Sequence, residues 1–103
     1  MKPLVIPPAA QRDEDSVQML SAWIAEKGLH CSLNIGMWQN NGTNESRAWG
    51  ILLADVIRHI ASAIEQQHGN ELVATIAAIV GSLEAELDDP TSTVRGGFHP
   101  GHT

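Results

Sequence analysis

The chain has 103 residues and a mass of 11.1 kDa, a size typical of one domain. Six Lys and Arg side chains stand against twelve Asp and Glu side chains, giving a formal net charge of −6. This charge disfavours nucleic acid and anionic membrane surfaces as partners, because both are bound through clustered basic residues. The single cysteine, Cys31, excludes an intrachain disulfide and a multi-cysteine metal site.

The sequence of the N-terminal segment predicts an extended chain followed by a helix. Leu4, Val5 and Ile6 form a short apolar run between prolines, which predicts an edge strand at residues 4–6. Residues 13–27 are predicted to form the first helix, because they begin with three acidic residues, show helical apolar spacing and end at Lys27-Gly28.

In the middle of the chain the spacing of apolar residues changes to every second residue and then returns to helical spacing. Apolar residues alternate with other residues over 29–37, which predicts a strand with one apolar face. The Gln/Asn/Gly cluster at residues 39–42 predicts a turn. Residues 43–68 are predicted to form a long helix capped by Thr43 or Asn44, with a wide apolar arc.

The last third of the sequence predicts one more helix and a tail. Residues 71–87 carry apolar side chains at helical spacing and should pack antiparallel to the long helix after the turn at Gly69 and Asn70. Residues 91–103 are rich in Gly, which predicts a flexible tail whose removal costs little stability. The elements together predict an α+β fold, a small sheet covered by three helices, in one compact domain over residues 1–90.

A two-stranded sheet is marginal in water, so the strand at residues 29–37 should pair with another strand along its free edge. A second copy of the chain can supply that strand. The sequence therefore predicts a homodimer formed through strand 29–37. A different protein partner is compatible with the same surface, and the sequence does not identify one.

Asp55 and His59 are four residues apart on the long helix and therefore share one face. A carboxylate and an imidazole at this spacing can bind a divalent metal or act as an acid–base pair, with His30 or His68 as a candidate third ligand. The alternative is a solvated helix face on which Asp55 pairs with Arg58. The same reasoning leaves the metal, the cofactor and any catalytic residue undefined.

A second candidate site lies on the strand. His30, Ser32, Asn34 and Trp38 alternate onto one face and can form the floor of a small-ligand pocket, or else a half-exposed sheet face. Cys31 falls on the apolar face, where a thiol behaves as a small hydrophobe rather than as a nucleophile.

Prolines interrupt the N-terminal apolar run, and no apolar run approaches the roughly 18 residues of a membrane span. These features predict a cytoplasmic protein. Phosphate-binding and hydrolase motifs are also missing, which leaves open whether the chain is an enzyme.

Several stretches resemble a domain-of-unknown-function family of short bacterial proteins. They are PLVIPP at Pro3–Pro8, WIAEKGLHCSLNIGMW at Trp23–Trp38, AWGILLADVIRH at Ala48–His59 and ELDDPTS at Glu86–Ser92. The resemblance covers most of Pro3–Phe98. It implies a bacterial cytoplasmic setting and one compact domain, and it brings no assigned activity or site residue.

Two functions follow as hypotheses. The first is a non-enzymatic homodimeric interaction or regulatory module, which an acidic surface and an unpaired strand favour. The second is a binding protein or an enzyme that binds a small molecule or a divalent metal through His30, Asp55 and His59.

Overall fold

A computed structural model describes residues 1–38 and 44–100 of the chain. The predicted turn at residues 39–42 and the candidate cap Thr43 lie outside the described residues. The chain divides into two compact units, residues 1–37 with 94–103 and residues 38–93. The described elements comprise three helices and three strands, which confirms the predicted α+β class.

The first unit contains a three-stranded sheet and one short helix. Helix α1 spans Pro8–Arg12, strand β1 Leu20–Ala25, strand β2 Gly28–Asn34 and strand β3 Val94–His99. The strand order is β1-β2-β3, with β1 antiparallel and β3 parallel to β2.

The predicted helix at residues 13–27 is wrong, because this segment contains β1 and a tight hairpin turn. Glu26 and Lys27 adopt φ angles of 50° and 64°, the left-handed backbone that a two-residue hairpin turn requires. The Lys27-Gly28 signal suits a helix end and a hairpin equally well. Pairing with β2 decides between them, since six consecutive residue pairs join the two strands, from Leu20 opposite Leu33 to Ala25 opposite Gly28.

The predicted edge strand at residues 4–6 is also wrong. Leu4, Val5 and Ile6 are 94%, 87% and 62% exposed and belong to no strand. The prolines that follow instead begin helix α1, in which Pro7 is the N-cap and Pro8 the first residue. Proline suits this position because its φ is already helical and the first helical N–H needs no partner.

The predicted flexible tail at residues 91–103 is wrong for Val94–His99, which form β3 along the second edge of β2. Both edges of β2 are therefore paired within the chain, so the free edge predicted for residues 29–37 is absent from the described sheet. The strand itself is confirmed over Gly28–Asn34 and ends before Ile35. Because β3 completes the backbone pairing of β2, removing it should now cost stability.

The strand register separates an apolar from a polar sheet face. Leu20, Leu29, Leu33 and their neighbours across the sheet, Val94 and Phe98, share the apolar face. The opposite face carries Ser21, Trp23, His30, Ser32, Asn34, Arg95 and His99. Cys31 lies on the apolar face, as predicted, and is a half-buried free thiol.

The second unit is a hairpin of two helices in contact, α2 at Glu45–His68 and α3 at Leu72–Asp88. Asn44 caps α2 by accepting a hydrogen bond from the Arg47 N–H at 3.1 Å, and Gly69 ends it with a φ of 74°. Both predicted helices are thus confirmed to within two residues at each described end. Among the described residues, no helix is both long and apolar enough to cross a membrane.

Glu71 caps α3. Its carboxylate accepts hydrogen bonds from the Val73 and Ala74 N–H groups at 3.0 and 2.7 Å. These bonds, chiefly the one from Ala74, lower the pKa of Glu71 below its ordinary value. The ionised carboxylate is therefore the form that stabilises the start of α3.

We expect Glu71→Ala to lower the unfolding temperature at neutral pH and to have little effect at acidic pH. A carboxyl whose pKa is lowered by folding stabilises the protein above its unfolded-state pKa, and this contribution disappears as the pH falls through the lowered value. The difference in unfolding temperature between the two proteins, measured at neutral pH and at a pH well below ordinary glutamate pKa values, reports this contribution. Glu84→Ala, near the other end of α3, serves as a control because a carboxylate is unfavourable there. An equal deficit at both pH values would contradict this role of the ionised cap.

Candidate functional site

A cavity of about 590 Å³ lies beside α2. Its apolar walls are formed by Trp38, Ala48, Ile51, Leu52 and Val56. The volume falls within the range of about 300–1,000 Å³ that is usual for ligand pockets. Ile51 and Val56 remain 48% and 39% exposed, so this side of α2 is apolar and open to solvent.

Asp55 and His59 contribute the ionisable side chains that line this cavity. One helical turn separates them, as predicted, so both project from the same side of α2. Asp55 also forms the predicted ion pair with Arg58, three residues along the helix. The side chains of Arg58 and Asp55 are 71% and 59% exposed, so this pair contributes little stability.

Of the two predicted third ligands, His30 lies on β2 in the sheet unit, and His68 is the last residue of α2 and does not line the cavity. Within residues 1–38 and 44–100, no cluster of three or more His, Cys, Asp or Glu side chains is placed to hold a metal ion. The structure thus places Asp55 and His59 at one cavity within the helical unit.

Two indole rings stand beside the α2 cavity. The ring centroids of Trp38 and Trp49 are 5.7 Å apart and their planes meet at 85°, an edge-to-face contact. The Trp49 N–H donates to Glu45 Oε2 at 3.4 Å. Trp38 was predicted to share the strand face with His30, but β2 ends at Asn34 and Trp38 belongs to the helical unit.

A second cavity of about 250 Å³ opens on the sheet unit. Its lining combines Ser32, Leu33 and Asn34 from β2 with Gln18, Ser21 and His99. Sequence reasoning selected Ser32 and Asn34 but missed Ser21 and His99, because it assigned their segments to a helix and to a tail. His30 lies on the same sheet face without lining this cavity.

Asn34 is the most deeply placed polar residue of this second site, with an exposure of 5%. Its Oδ1 atom is buried and has no hydrogen-bond partner among the described residues. Most buried polar atoms in proteins are hydrogen-bonded, so this unpaired buried acceptor is an exception.

A family model described as "Domain of unknown function (DUF5076)" matches residues 3–91 of the chain. The chain belongs to the DUF5076 family. This membership confirms the resemblance to a family without assigned activity. Strand β3 and His99 follow the last residue that the DUF5076 model matches.

A solved structure from the photosynthetic bacterium Rhodopseudomonas palustrus CGA009 is similar to this DUF5076 chain, with 27% sequence identity and a TM-score of 0.66. The similarity covers 90% of each chain, and that protein is described as "a putative pyruvate dehydrogenase". No curated protein matches the chain at a significant level.

Proposed function

We propose that this DUF5076 protein is a non-enzymatic homodimeric module for protein interaction or regulation. Its two copies pair through the apolar face of α2, defined as Leu52, Leu53, Val56 and Ile60. In this proposal the dimer uses a helix face instead of the edge of β2, because β1 and β3 occupy both edges of β2.

The observation that carries this proposal is the exposure of the apolar face of α2. Leu53, Val56 and Ile60 are 41%, 39% and 41% exposed. Helix α3 does not remove this surface from water. Large contiguous apolar surfaces are rare on monomers and mark sites of association.

A second copy fits this face because few charges lie on it. Asp55 and His59 are the ionisable residues that line the adjacent cavity, and Arg58 already pairs with Asp55. Much of the negative charge of the chain lies elsewhere, at residues 13–15 and near the end of α3. Two copies can therefore approach through this face with little repulsion, whereas like charges facing each other would cost several kcal/mol.

We expect Val56→Glu to convert the dimer into a monomer. The new carboxylate would be buried without a partner at the centre of the interface, which strongly disfavours association. Within one copy Val56 is 39% exposed, so the side chain can reach water when the protomer is free. Sedimentation velocity reports the mass, and circular dichroism checks that the helices persist.

The matched control is Val73→Glu on α3, where the valine is 70% exposed and does not line the cavity. It adds the same charge to the same hairpin and should leave the dimer intact. A dimer in both variants would place the interface elsewhere, and a monomer in both would point to a general effect of charge.

The second candidate function is binding of a divalent metal or a small molecule, supported by Asp55 and His59 lining one cavity. One chain offers two ligands there. Two copies related by a two-fold axis next to this cavity would offer four, a number that suits a tetrahedral Zn²⁺ site.

For this candidate we expect calorimetry with Zn²⁺ to show saturable binding of one ion per two chains. His59→Ala should abolish the binding by removing a ligand from each copy, whereas His68→Ala, an exposed histidine at the end of α2, should retain it. Absence of heat above dilution in the unmutated protein would rule out the metal.

A further inference from the structure

The apolar face of the sheet is largely exposed to water in the single chain. On this face Ile24, Leu29, Val94 and Phe98 are 82%, 37%, 61% and 65% exposed. By the alternation of side chains along the paired strands, no Asp, Glu, Lys, Arg or His of β1, β2 or β3 projects to this side. A sheet with one apolar face is normally covered by a further layer of structure.

A second exposed apolar surface of the same unit is the N-terminal arm, defined as residues 1–7. Leu4, Val5 and Ile6 are 94%, 87% and 62% exposed. At the end of the arm Pro7 has a φ of −56° and a ψ of 140°, which is polyproline II backbone. Within one chain, therefore, the arm and the apolar sheet face are both left in water.

The N-terminal arm suits the sheet face in length and stiffness. In polyproline II geometry its seven residues span about 20 Å, which is also about the length of a six-residue strand such as β1 or β3. Pro3 and Pro7 have fixed φ angles, so the arm loses little conformational entropy on docking. The Gln11 Nε2 group donates to the Ile6 carbonyl oxygen at 2.8 Å and holds the end of the arm beside α1. Proline-rich segments commonly dock on aromatic side chains, and Phe98 supplies one.

The arm and the sheet face also match in area. At about 150–200 Å² for a fully exposed apolar residue, the exposed fractions correspond to roughly 400 Å² on each surface in each copy. Burial of both surfaces in two copies would remove about 1,600 Å² from water, within the range of about 1,200–2,000 Å² for stable interfaces. Charge favours the contact as well, because Lys2 is the charged side chain of the arm and the chain has a net charge of −6.

We propose that the N-terminal arm of each copy lies on the apolar sheet face of the other copy in the homodimer. This inference rests on the proposed function, in which the apolar face of α2 brings the two copies together. Ordering two arms costs free energy, so the exchange strengthens the dimer and does not form it alone. A second copy is the occupant that fits, because it presents an apolar arm of matching length and area that its own chain leaves uncovered.

The test uses the single phenylalanine of the chain, Phe98, whose ring protons identify the sheet face without ambiguity. Two preparations of the full chain are mixed, one deuterated except for ¹³C-labelled methyl groups of Ile, Leu and Val, the other deuterated except for Phe. We expect nuclear Overhauser effects between the Phe98 ring and the methyl groups of Leu4, Val5 or Ile6. In this mixture such signals arise only between copies.

Leu4→Ser combined with Val5→Ser should remove these signals and raise the dissociation constant of the dimer at least about tenfold, as measured by sedimentation. Both side chains are exposed in the single chain, so its fold does not depend on them. The matched control combines Val73→Ser with Leu87→Ser, at residues that are 70% and 76% exposed on α3. It makes the same chemical change and should leave both the signals and the dissociation constant as they are.

Three results would overturn the arm exchange. One is the absence of a signal between Phe98 and the arm; a dimeric mass would then leave the α2 interface standing, whereas a single-chain mass would overturn both. Another is a signal from Phe98 to the methyl groups of Ile24, Leu29 or Val94 of the other copy, which would mean that two sheet faces pair directly. The third is an arm signal that appears only when one chain carries both labels. Conversely, an arm signal that persists in a dimeric Val56→Glu protein would overturn the α2 interface and support the arm exchange.

Discussion

Gly96→Ala is expected to destabilise the protein by about 2–6 kcal/mol, because strained backbone and steric overlap add at this position. Gly96 has a φ of 134°, a conformation that side chains of L-residues rarely adopt. A Cβ atom there would lie 1.8 Å from the Cys31 carbonyl oxygen of β2. Strand β3 would have to leave β2 to relieve this overlap, which would expose one edge of the sheet.

The control for this prediction is the neighbouring Gly97→Ala. Gly97 lacks the positive φ of Gly96, and a Cβ atom there would meet nothing within 4 Å. Urea unfolding at one protein concentration gives the free energy of unfolding of both variants. Hydrogen exchange of the β2 amides then reports whether β3 has detached. Equal stabilities for the two variants would contradict the pairing of β3 with β2.

We expect Ala61→Leu to destabilise the protein by about 1–3 kcal/mol through overpacking of the helical hairpin. Ala61 is 0% exposed, one turn from the half-buried Ile57 and Ile64 on α2. The three added carbon atoms have no space unless neighbouring side chains or the helices move.

Ala63→Leu is the matched control, because Ala63 is exposed on the same helix. Alanine and leucine have similar helix propensities, so the exchange itself changes helix stability little. It should change the free energy of unfolding by less than about 0.5 kcal/mol. Urea unfolding at a fixed protein concentration measures both variants, since the stability of a dimer depends on concentration. A stable, unchanged Ala61→Leu protein would show that this side of α2 is not tightly packed.

The helical hairpin could be predicted from sequence because its signals are local and long. Two helices of 24 and 17 residues carry repeated apolar spacing, and Asn44 and Gly69 mark the ends of α2. The capping role of Glu71 was missed, because Asn is the usual N-cap residue and Glu is not.

The sheet could be predicted only in part. Strand β2 shows a clear period of two, but the spacing of Val17, Leu20 and Ile24 suits a helix, and only pairing with β2 makes this segment a strand. Strand β3 is short and contains two glycines, so its conformation depends on the edge of β2. Pairing with a strand that is distant in sequence produces no pattern in the sequence of the segment itself.

The candidate site residues could likewise be predicted where local helix geometry places them, and not where strand pairing does. Asp55 and His59 were found because helical spacing alone places them together. Ser21 and His99 were missed because the sheet that brings them to Asn34 was not predicted. His30 was grouped with Asp55 and His59 on residue type alone, and its place on β2 is set by the sheet.

The central claim, that two copies pair through the apolar face of α2, is tested most directly by sedimentation equilibrium of the unmutated protein. We expect a mass of twice the 11.1 kDa chain across a range of micromolar concentrations, and the single chain mass for Val56→Glu under the same conditions. A mass of 11.1 kDa for the unmutated protein at the highest concentration would contradict the account.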